Sequence, residues 1–315
     1  MGRTIEVEAP GLLTTVQDLG RDGFGPIGVS PSGAADPIAL RLGNRLVGNP
    51  EGAAGIEMTL VGGAFRFPDG AGVALAGSDF SAAIDGTALD PWTSVEAEPG
   101  QTLRLGATRS GARCYLCIGG GIVVPPFFES ASTHLLSGLG GFEGRALRKG
   151  DILEIGAANA PFRKRAVNPQ FASAISSRGV LRVTPGPQEN WFSETTRHAF
   201  YAALYRVGEA SNRMGLRLEG TAISQTEPTQ HMITEGVSLG AIQAPPSGLP
   251  IILFVEQQTT GGYPVVANVI SADLHRIGQL RPRDEVRFEE VTFEAARRVL
   301  IEQAESLRFK ELISE

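Results

Sequence analysis

The chain has 315 residues, 42% of them hydrophobic and 20% charged, with 40 glycines and 20 prolines. That length allows two domains with separate cores, and a net charge of −6 without a run of Lys or Arg argues against a surface that tracks nucleic-acid phosphates. The N-terminus enters a charged strand directly, without an apolar leader, and no stretch reaches about 18 uninterrupted apolar residues, so a soluble, cytoplasmic protein is expected.

Following that first strand, Thr14-Thr-Val-Gln-Asp-Leu-Gly-Arg-Asp-Gly-Phe-Gly25 and Gly28-Val-Ser-Pro-Ser-Gly-Ala-Ala-Asp36 form a polar stretch punctuated by glycine. Asp36 then suits a helix N-cap, Pro37 the first helical position, and Gly48-Asn49-Pro50 a stop. Strands are predicted at 64–67, 73–76, 81–84, 102–105, 114–118, 152–155, 181–184, 251–255 and 286–288. Spacing of roughly 8 to 15 residues with Gly or Pro at the joints is that of barrels or sandwiches, and helical patterns do not alternate with the strands as a parallel α/β sheet requires. A last helix is predicted from Thr292 to about Phe309, with Phe293, Ala296, Leu300, Ala304 and Leu307 on one stripe against a barrel wall.

Two segments echo each other: Leu147-Arg-Lys-Gly-Asp-Ile-Leu-Glu-Ile and Leu280-Arg-Pro-Arg-Asp-Glu-Val-Arg-Phe, each a turn with an acidic residue leading into a strand. Between them, 157–178 is polar and poorly periodic, which places a domain boundary there and divides the chain into 1–165 and 166–315. The two cysteines, Cys114 and Cys117, lie three apart in a strand-like run. They should point to opposite faces and act as small apolar fillers, neither bridging nor sharing a metal. His134, His198, His231 and His275 lack the spacing of a structural zinc site.

The chain lacks a Walker-type phosphate loop and a Gly-x-Ser-x-Gly elbow. Gly119-Gly-Gly121 reads either as a tight turn or as backbone N–H groups open to an anion. Arg21, beside Gln17 and Asp18, reads equally as a carboxylate or phosphate clamp and as half of a surface ion pair. Arg213 and Arg217 are further anion candidates, and Glu235 is either an inert turn carboxylate or a general base. The densest signal is the apolar run Ile251–Val255 followed by Gln257, Gln258, Thr259, Thr260 and Tyr263 around Gly261-Gly262. Amides, hydroxyls and a phenol orient a polar ligand, although a strand ending in a tight turn would also account for the pattern. This segment and the Thr14–Asp36 stretch are candidates to converge.

Thr14-Thr-Val-Gln-Asp-Leu-Gly-Arg21, Ser32-Gly-Ala-Ala-Asp36, Ser211-Asn-Arg-Met-Gly-Leu-Arg-Leu-Glu-Gly220, Glu235-Gly-Val-Ser-Leu-Gly-Ala-Ile-Gln243 and Gln258-Thr-Thr-Gly-Gly-Tyr-Pro264 together resemble the biotin-dependent carboxyltransferase-like family. That family includes the C subunit of 5-oxoprolinase, the antagonist of the sporulation-kinase inhibitor, and the carboxyltransferase part of urea carboxylase. The resemblance spans about residues 5 to 295. It departs at Gly28-Val-Ser-Pro-Ser-Gly33, where the family often carries an arginine, at Glu256-Gln257, where it often carries Asp-Arg or Asp-Ala, and at Phe127-Phe-Glu-Ser-Ala-Ser132.

The resemblance implies a mainly β chain of two cyclophilin-like β-barrel domains. It implies two partners in an oxoprolinase complex, a related cyclophilin-like B subunit and a third component, the A subunit. It implies ATP-dependent opening of 5-oxoproline to glutamate, with ATP as co-substrate. On that expectation Glu235, Tyr263 and Gln258 are the catalytic candidates, and Gln17, Arg21, Ser32, Arg213, Thr259 and Thr260 bind a small cyclic amide between the barrels. The alternatives are biotin-dependent carboxyl transfer to an amide and a non-enzymatic regulator that binds a related partner.

Overall fold

The computed structural model describes residues 2–226 and 232–315; His231 lies outside the described residues. The chain is mostly β, with 31% strand against 19% helix. It divides into two compact units, one of residues 1–21, 32–176 and 310–315, the other of residues 22–31 and 177–309.

The first unit holds two seven-stranded sheets. One runs in the order Ile122–Val123, Ile152–Ile155, Arg3–Ala9, Ala64–Arg66, Thr102–Arg104, Ala83–Ile84, Thr87–Ala88. The other runs Leu13–Gln17, Gly55–Thr59, Arg113–Ile118, Ala71–Gly77, Thr93–Ala97, Ala166–Val167, Ile313–Ser314. Alternate residues from both sheets, among them Ile5, Phe65, Leu103, Val16, Ile56 and Leu116, enter one apolar cluster. The opposite face of the second sheet is covered by helix α1 (Pro37–Leu46), whose N-terminus is capped by Asp36 accepting from the Ala39 amide at 2.9 Å.

Cys114 belongs to the central cluster and Cys117 to the cluster under α1, both buried and free, as period-two alternation predicts. Burial pushes both thiols far above their ordinary range.

The second unit is a closed barrel ordered Val180–Pro185, Val265–Val269, Ala241–Gln243, Ile251–Leu253, Gly215–Glu219, Tyr205–Val207, Glu285–Glu290. It closes by parallel pairing of the last strand with Val180–Pro185, the other barrel pairs being antiparallel.

Helices α2 (Pro169–Ile175) and α3 (Glu194–Ala202) fall where the sequence showed no helical period. Their caps were present in the sequence, since Asn168 accepts from the Gln170 and Phe171 amides and Ser193 from the Thr196 amide. Both helices are short, and α3 is mostly polar. In α3 one fully buried residue, Phe200, stacks on Phe288 at 4.8 Å between centroids. Helix α4 (Leu274–Ile277) follows the Ser271–Asp273 turn.

Helix α5 (Phe293–Arg308) begins at the predicted cap, Thr292, but buries only part of the predicted stripe. Phe293 is 66% and Leu300 41% exposed. Ala296 and Leu307 of that stripe turn inward, joined by Val299 and Gln303, with Gln303 donating to the Ala272 carbonyl at 2.9 Å. Among the described residues no helix is long and apolar enough to cross a membrane.

The sequence echo is a structural repeat. Asp151 accepts from the Arg148 amide at 2.7 Å, and Asp284 from the Arg281 amide at 3.0 Å. The third turn residue has a left-handed backbone in both, Gly150 at φ 89 and Arg283 at φ 73. Its amide donates to Val7 in one unit and to Val207 in the other.

Candidate functional site

In the first unit, Gln17, Arg21 and Ser32 gather on three carbonyls of one segment, those of Phe127, Ser132 and Thr133. Gln17 Nε2 donates to the Thr133 carbonyl at 3.1 Å and Ser32 Oγ to the same oxygen at 2.7 Å. Arg21 donates from Nε to the Phe127 carbonyl at 3.2 Å and from Nη2 to the Ser132 carbonyl, with its guanidinium 5.7 Å above the Phe127 ring. All three side chains are buried. Each therefore fastens the 127–133 segment, Arg21 through Nε and Nη2.

Asp18 completes this seam. Its carboxylate accepts from the Gly20 amide at 2.8 Å, Ser130 Oγ at 2.7 Å, the Ala131 amide at 2.7 Å and Ser132 Oγ. The turn it grips is strained. Phe127 and Ser130 exchange backbone hydrogen bonds while the two residues between them, Phe128 at φ 47 and Glu129 at φ 62, take left-handed conformations that glycine or asparagine would adopt at less cost. Beneath the loop, Glu57 is 1% exposed and accepts from Tyr115 Oη at 2.7 Å and the Ala35 amide at 2.9 Å. The Asp36 amide donates to the same Tyr115 oxygen at 2.7 Å, so the Ser32–Asp36 entry to α1 is pinned from below.

Gly119–Gly121 is a turn. The amides of Gly119, Gly120 and Gly121 donate to the Gly72 carbonyl, Asn49 Oδ1 and the Ile118 carbonyl. A methyl group on Gly120 would sit 2.1 Å from the Gly156 carbonyl oxygen, so the glycine is required by backbone packing.

In the second unit the apolar run Ile251–Leu253 ends in a turn, and the polar residues after it join a two-stranded ribbon, Glu235–Gly236 paired with Thr260–Gly261. Glu235, Gln258 and Thr260 are exposed, Thr259 is half-buried, and Tyr263 is 44% exposed. The Thr259 carbonyl accepts from the Val237 amide at 3.1 Å, which seats the ribbon, and the Gln257 side chain donates to the Val237 carbonyl at 3.2 Å.

Two barrel-end amides underlie the ribbon. Gln188 Nε2 donates to Glu235 Oε1 at 2.6 Å while Gln188 Oε1 accepts from the Val265 amide at 3.0 Å. Gln243 Oε1 accepts from Gln258 Nε2 at 3.3 Å, and Gln243 Nε2 faces the Tyr263 carbonyl at 3.5 Å. Five of the residues picked from the sequence, Glu235, Gln258, Thr259, Thr260 and Tyr263, thus share one ribbon that offers a carboxylate, a carboxamide, hydroxyls and a phenol.

Arg213 lies apart from that surface. It is 4% exposed, donates from Nε to the Glu256 carboxylate, itself 3% exposed, and receives the Glu256 amide on its own carbonyl at 2.8 Å. Arg217 is exposed on the Gly215–Glu219 strand. Gln188 carried no recognisable signal, since it stands alone after Pro187, and Glu256 stood out only as a departure from the family pattern. Gln243 closes one of the quoted motifs, but its role depends on tertiary pairing.

Residues 27–290 match the family described as carboxyltransferase domain, subdomain A and B. The C subunit of 5-oxoprolinase from Escherichia coli is 36% identical over 294 residues, 93% of each chain. That of Haemophilus influenzae is 35% identical over 90% of this chain and 89% of its own. Urea amidolyase of Saccharomyces cerevisiae is 33% identical, but this chain spans only 17% of it. Among solved structures, the urea carboxylase of Kluyveromyces lactis superposes with a TM-score of 0.91 at 31% identity, over 97% of this chain and 29% of that one. The chain belongs to the carboxyltransferase-domain family, subdomains A and B.

Proposed function

We propose that this chain is the C subunit of an ATP-dependent 5-oxoprolinase and works with a related cyclophilin-like B subunit and a third, A subunit. The observation that carries the reading is end-to-end similarity to two proteins named as the C subunit of 5-oxoprolinase, whereas the urea-processing relatives are matched over less than a third of their length. In the proposed reaction two waters are consumed overall: as the lactam C–N bond breaks, one gives its oxygen to the new carboxyl group and a proton to the freed amine, and the second balances the conversion of ATP to ADP and phosphate.

The ribbon supports this reading chemically. A lactam presents one N–H donor and one C=O acceptor. Gln258 spends one N–H on Gln243 and keeps a carbonyl and a second N–H, the complementary pair. Glu235 is the proton acceptor, Tyr263 the hydroxyl donor, and Thr259 and Thr260 line the same strand. Arg21, Arg213, Gln17 and Ser32 are assigned to the framework, because Arg21 Nε and Nη2, Arg213 Nε, Gln17 Nε2 and Ser32 Oγ donate to protein acceptors.

The urea carboxylase superposition favours a second reading, carboxyl transfer to an amide in which bound biotin would supply the carboxyl group. The biotin ureido ring also presents N–H and C=O, so Gln258 fits either ligand. The test is steady-state turnover of 5-oxoproline by the complex carrying Gln258→Leu or Tyr263→Phe. Each should lower kcat/KM by about tenfold or more, the scale of one hydrogen bond to a reacting group. Wild-type values in both variants would remove the ribbon from the site.

A further inference from the structure

We infer that Gln188 and Gln243 are positioning residues that fix the hydrogen-bonding polarity of the ribbon. The inference rests on the proposed role of Glu235 and Gln258. Gln188 is 8% and Gln243 1% exposed, so neither is a surface amide free to rotate. Each is oriented by a backbone group whose sense cannot be reversed.

For Gln188 that group is the Val265 amide, which can only donate. The Gln188 oxygen must face it at 3.0 Å, and the nitrogen must then face Glu235 Oε1 at 2.6 Å. A carboxamide nitrogen only donates, so Glu235 is held as an acceptor at that oxygen, with Oε2 left to the ligand side. The Val265 amide therefore dictates, through one buried side chain, the direction of the hydrogen bond to an exposed carboxylate on a different strand.

For Gln243 the group is the Tyr263 carbonyl, which can only accept. It faces the Gln243 nitrogen at 3.5 Å, leaving the Gln243 oxygen to take an N–H of Gln258 at 3.3 Å. Both contacts are longer than the usual range of about 2.7–3.2 Å, so this arm is the weaker of the two. Contact is nonetheless close, because a methyl group on Gly261 would lie 2.5 Å from Gln243 Nε2. The ribbon strand rests on the amide, and Gln258 keeps the donor and acceptor assigned above to a lactam.

The experiment uses near-isosteric polarity reversal in the full complex with its partner subunits. Kinetics are followed with 5-oxoproline and ATP, and the melting temperature of each variant chain is measured alongside. Gln188→Glu still accepts from the Val265 amide but sets one carboxylate against another. It should lower kcat by about 10- to 100-fold with KM changed less than threefold, and lower the melting temperature. Gln243→Glu should have a smaller effect, about 3- to 10-fold.

Adding Glu235→Gln to Gln188→Glu exchanges the partners, so that the introduced amide donates to the introduced carboxylate. This double variant should regain the lost melting temperature but not the lost kcat. Wild-type kcat in Gln188→Glu, or recovery of kcat in the double variant, overturns the inference. If the wild-type complex does not turn over 5-oxoproline, the functional reading fails. The melting temperatures still decide the pairing, because failure of the double variant to recover stability refutes the Gln188–Glu235 bond.

Discussion

Arg213 and Glu256 form an ion pair with both side chains at most 4% exposed, a geometry with a specific energetic signature. Breaking such a pair leaves an uncompensated charge in a poorly solvating interior, at a cost of about 3–5 kcal/mol. Replacing both partners with apolar residues of similar volume removes the charges together and is close to neutral. Arg213→Met should therefore cost about 3–5 kcal/mol, and Glu256→Gln, which keeps one acceptor oxygen, slightly less. Arg213→Met combined with Glu256→Met should return to within about 2 kcal/mol of wild type. At roughly 2–4 °C per kcal/mol for a domain of this size, each single variant melts about 6–20 °C lower. Urea unfolding followed by circular dichroism measures the three differences, and the double-mutant cycle gives the coupling. Single variants within 1 kcal/mol of wild type would refute the reasoning. So would Arg213→Met that abolishes turnover at unchanged stability, because the arginine would then be holding a ligand rather than the fold.

Three further outcomes follow from local geometry. Gly141 has φ +57, and a methyl group there would lie 1.9 Å from Thr133 Oγ1, so Gly141→Ala should lower the melting temperature by about 6 °C or more; a fall below about 2 °C contradicts the packing described. Glu129→Gly relieves a left-handed residue at an exposed turn and should raise it by about 2–4 °C, the net of about 1–2 kcal/mol of relieved strain against glycine's entropy; an unchanged or lower value argues against strain. Hydrogen bonds from Arg145 hold the Asp151 carboxyl below its usual range against the opposing effect of burial. A carboxylate depressed in the folded state adds stability that is complete above its unfolded pKa of about 3.9 and is lost as pH falls through the folded value. The stability lost in Asp151→Asn, measured by urea unfolding, should thus be full at pH 7 and shrink toward pH 3, and an equal loss at both would show the ion pair contributes nothing.

What could be read from the sequence was what local pattern determines. Asp36 and Thr292 cap their helices because an oxygen side chain before a helical run has one strong use, and Cys114 and Cys117 separate because strand alternation leaves no choice. The Gln258–Tyr263 run stood out because so many polar groups directly after a buried strand are costly unless they reach a surface. The buried stripe of α5 was misjudged because periodicity finds apolar spacing without knowing which neighbours exist. Phe293 and Leu300 are spaced for burial, yet the helix turns Val299 and Gln303 inward, where Gln303 reaches the Ala272 carbonyl. Arg21 read as an anion clamp because a guanidinium matches a carboxylate and a pair of backbone carbonyls alike, and only the fold brings Phe127 and Ser132 to it. Gln188 was invisible for the converse reason, since its meaning lies in Val265 and Glu235, 77 and 47 residues away in sequence.

The central claim is the reaction. The direct measurement is glutamate and phosphate released from 5-oxoproline and ATP by this chain combined with its partner subunits, with avidin and with bicarbonate withheld in parallel. A 5-oxoprolinase subunit gives equimolar glutamate and phosphate that require the chain and are indifferent to avidin and bicarbonate. Turnover blocked by avidin, or product formed only with bicarbonate, would contradict it and assign the chain to carboxyl transfer.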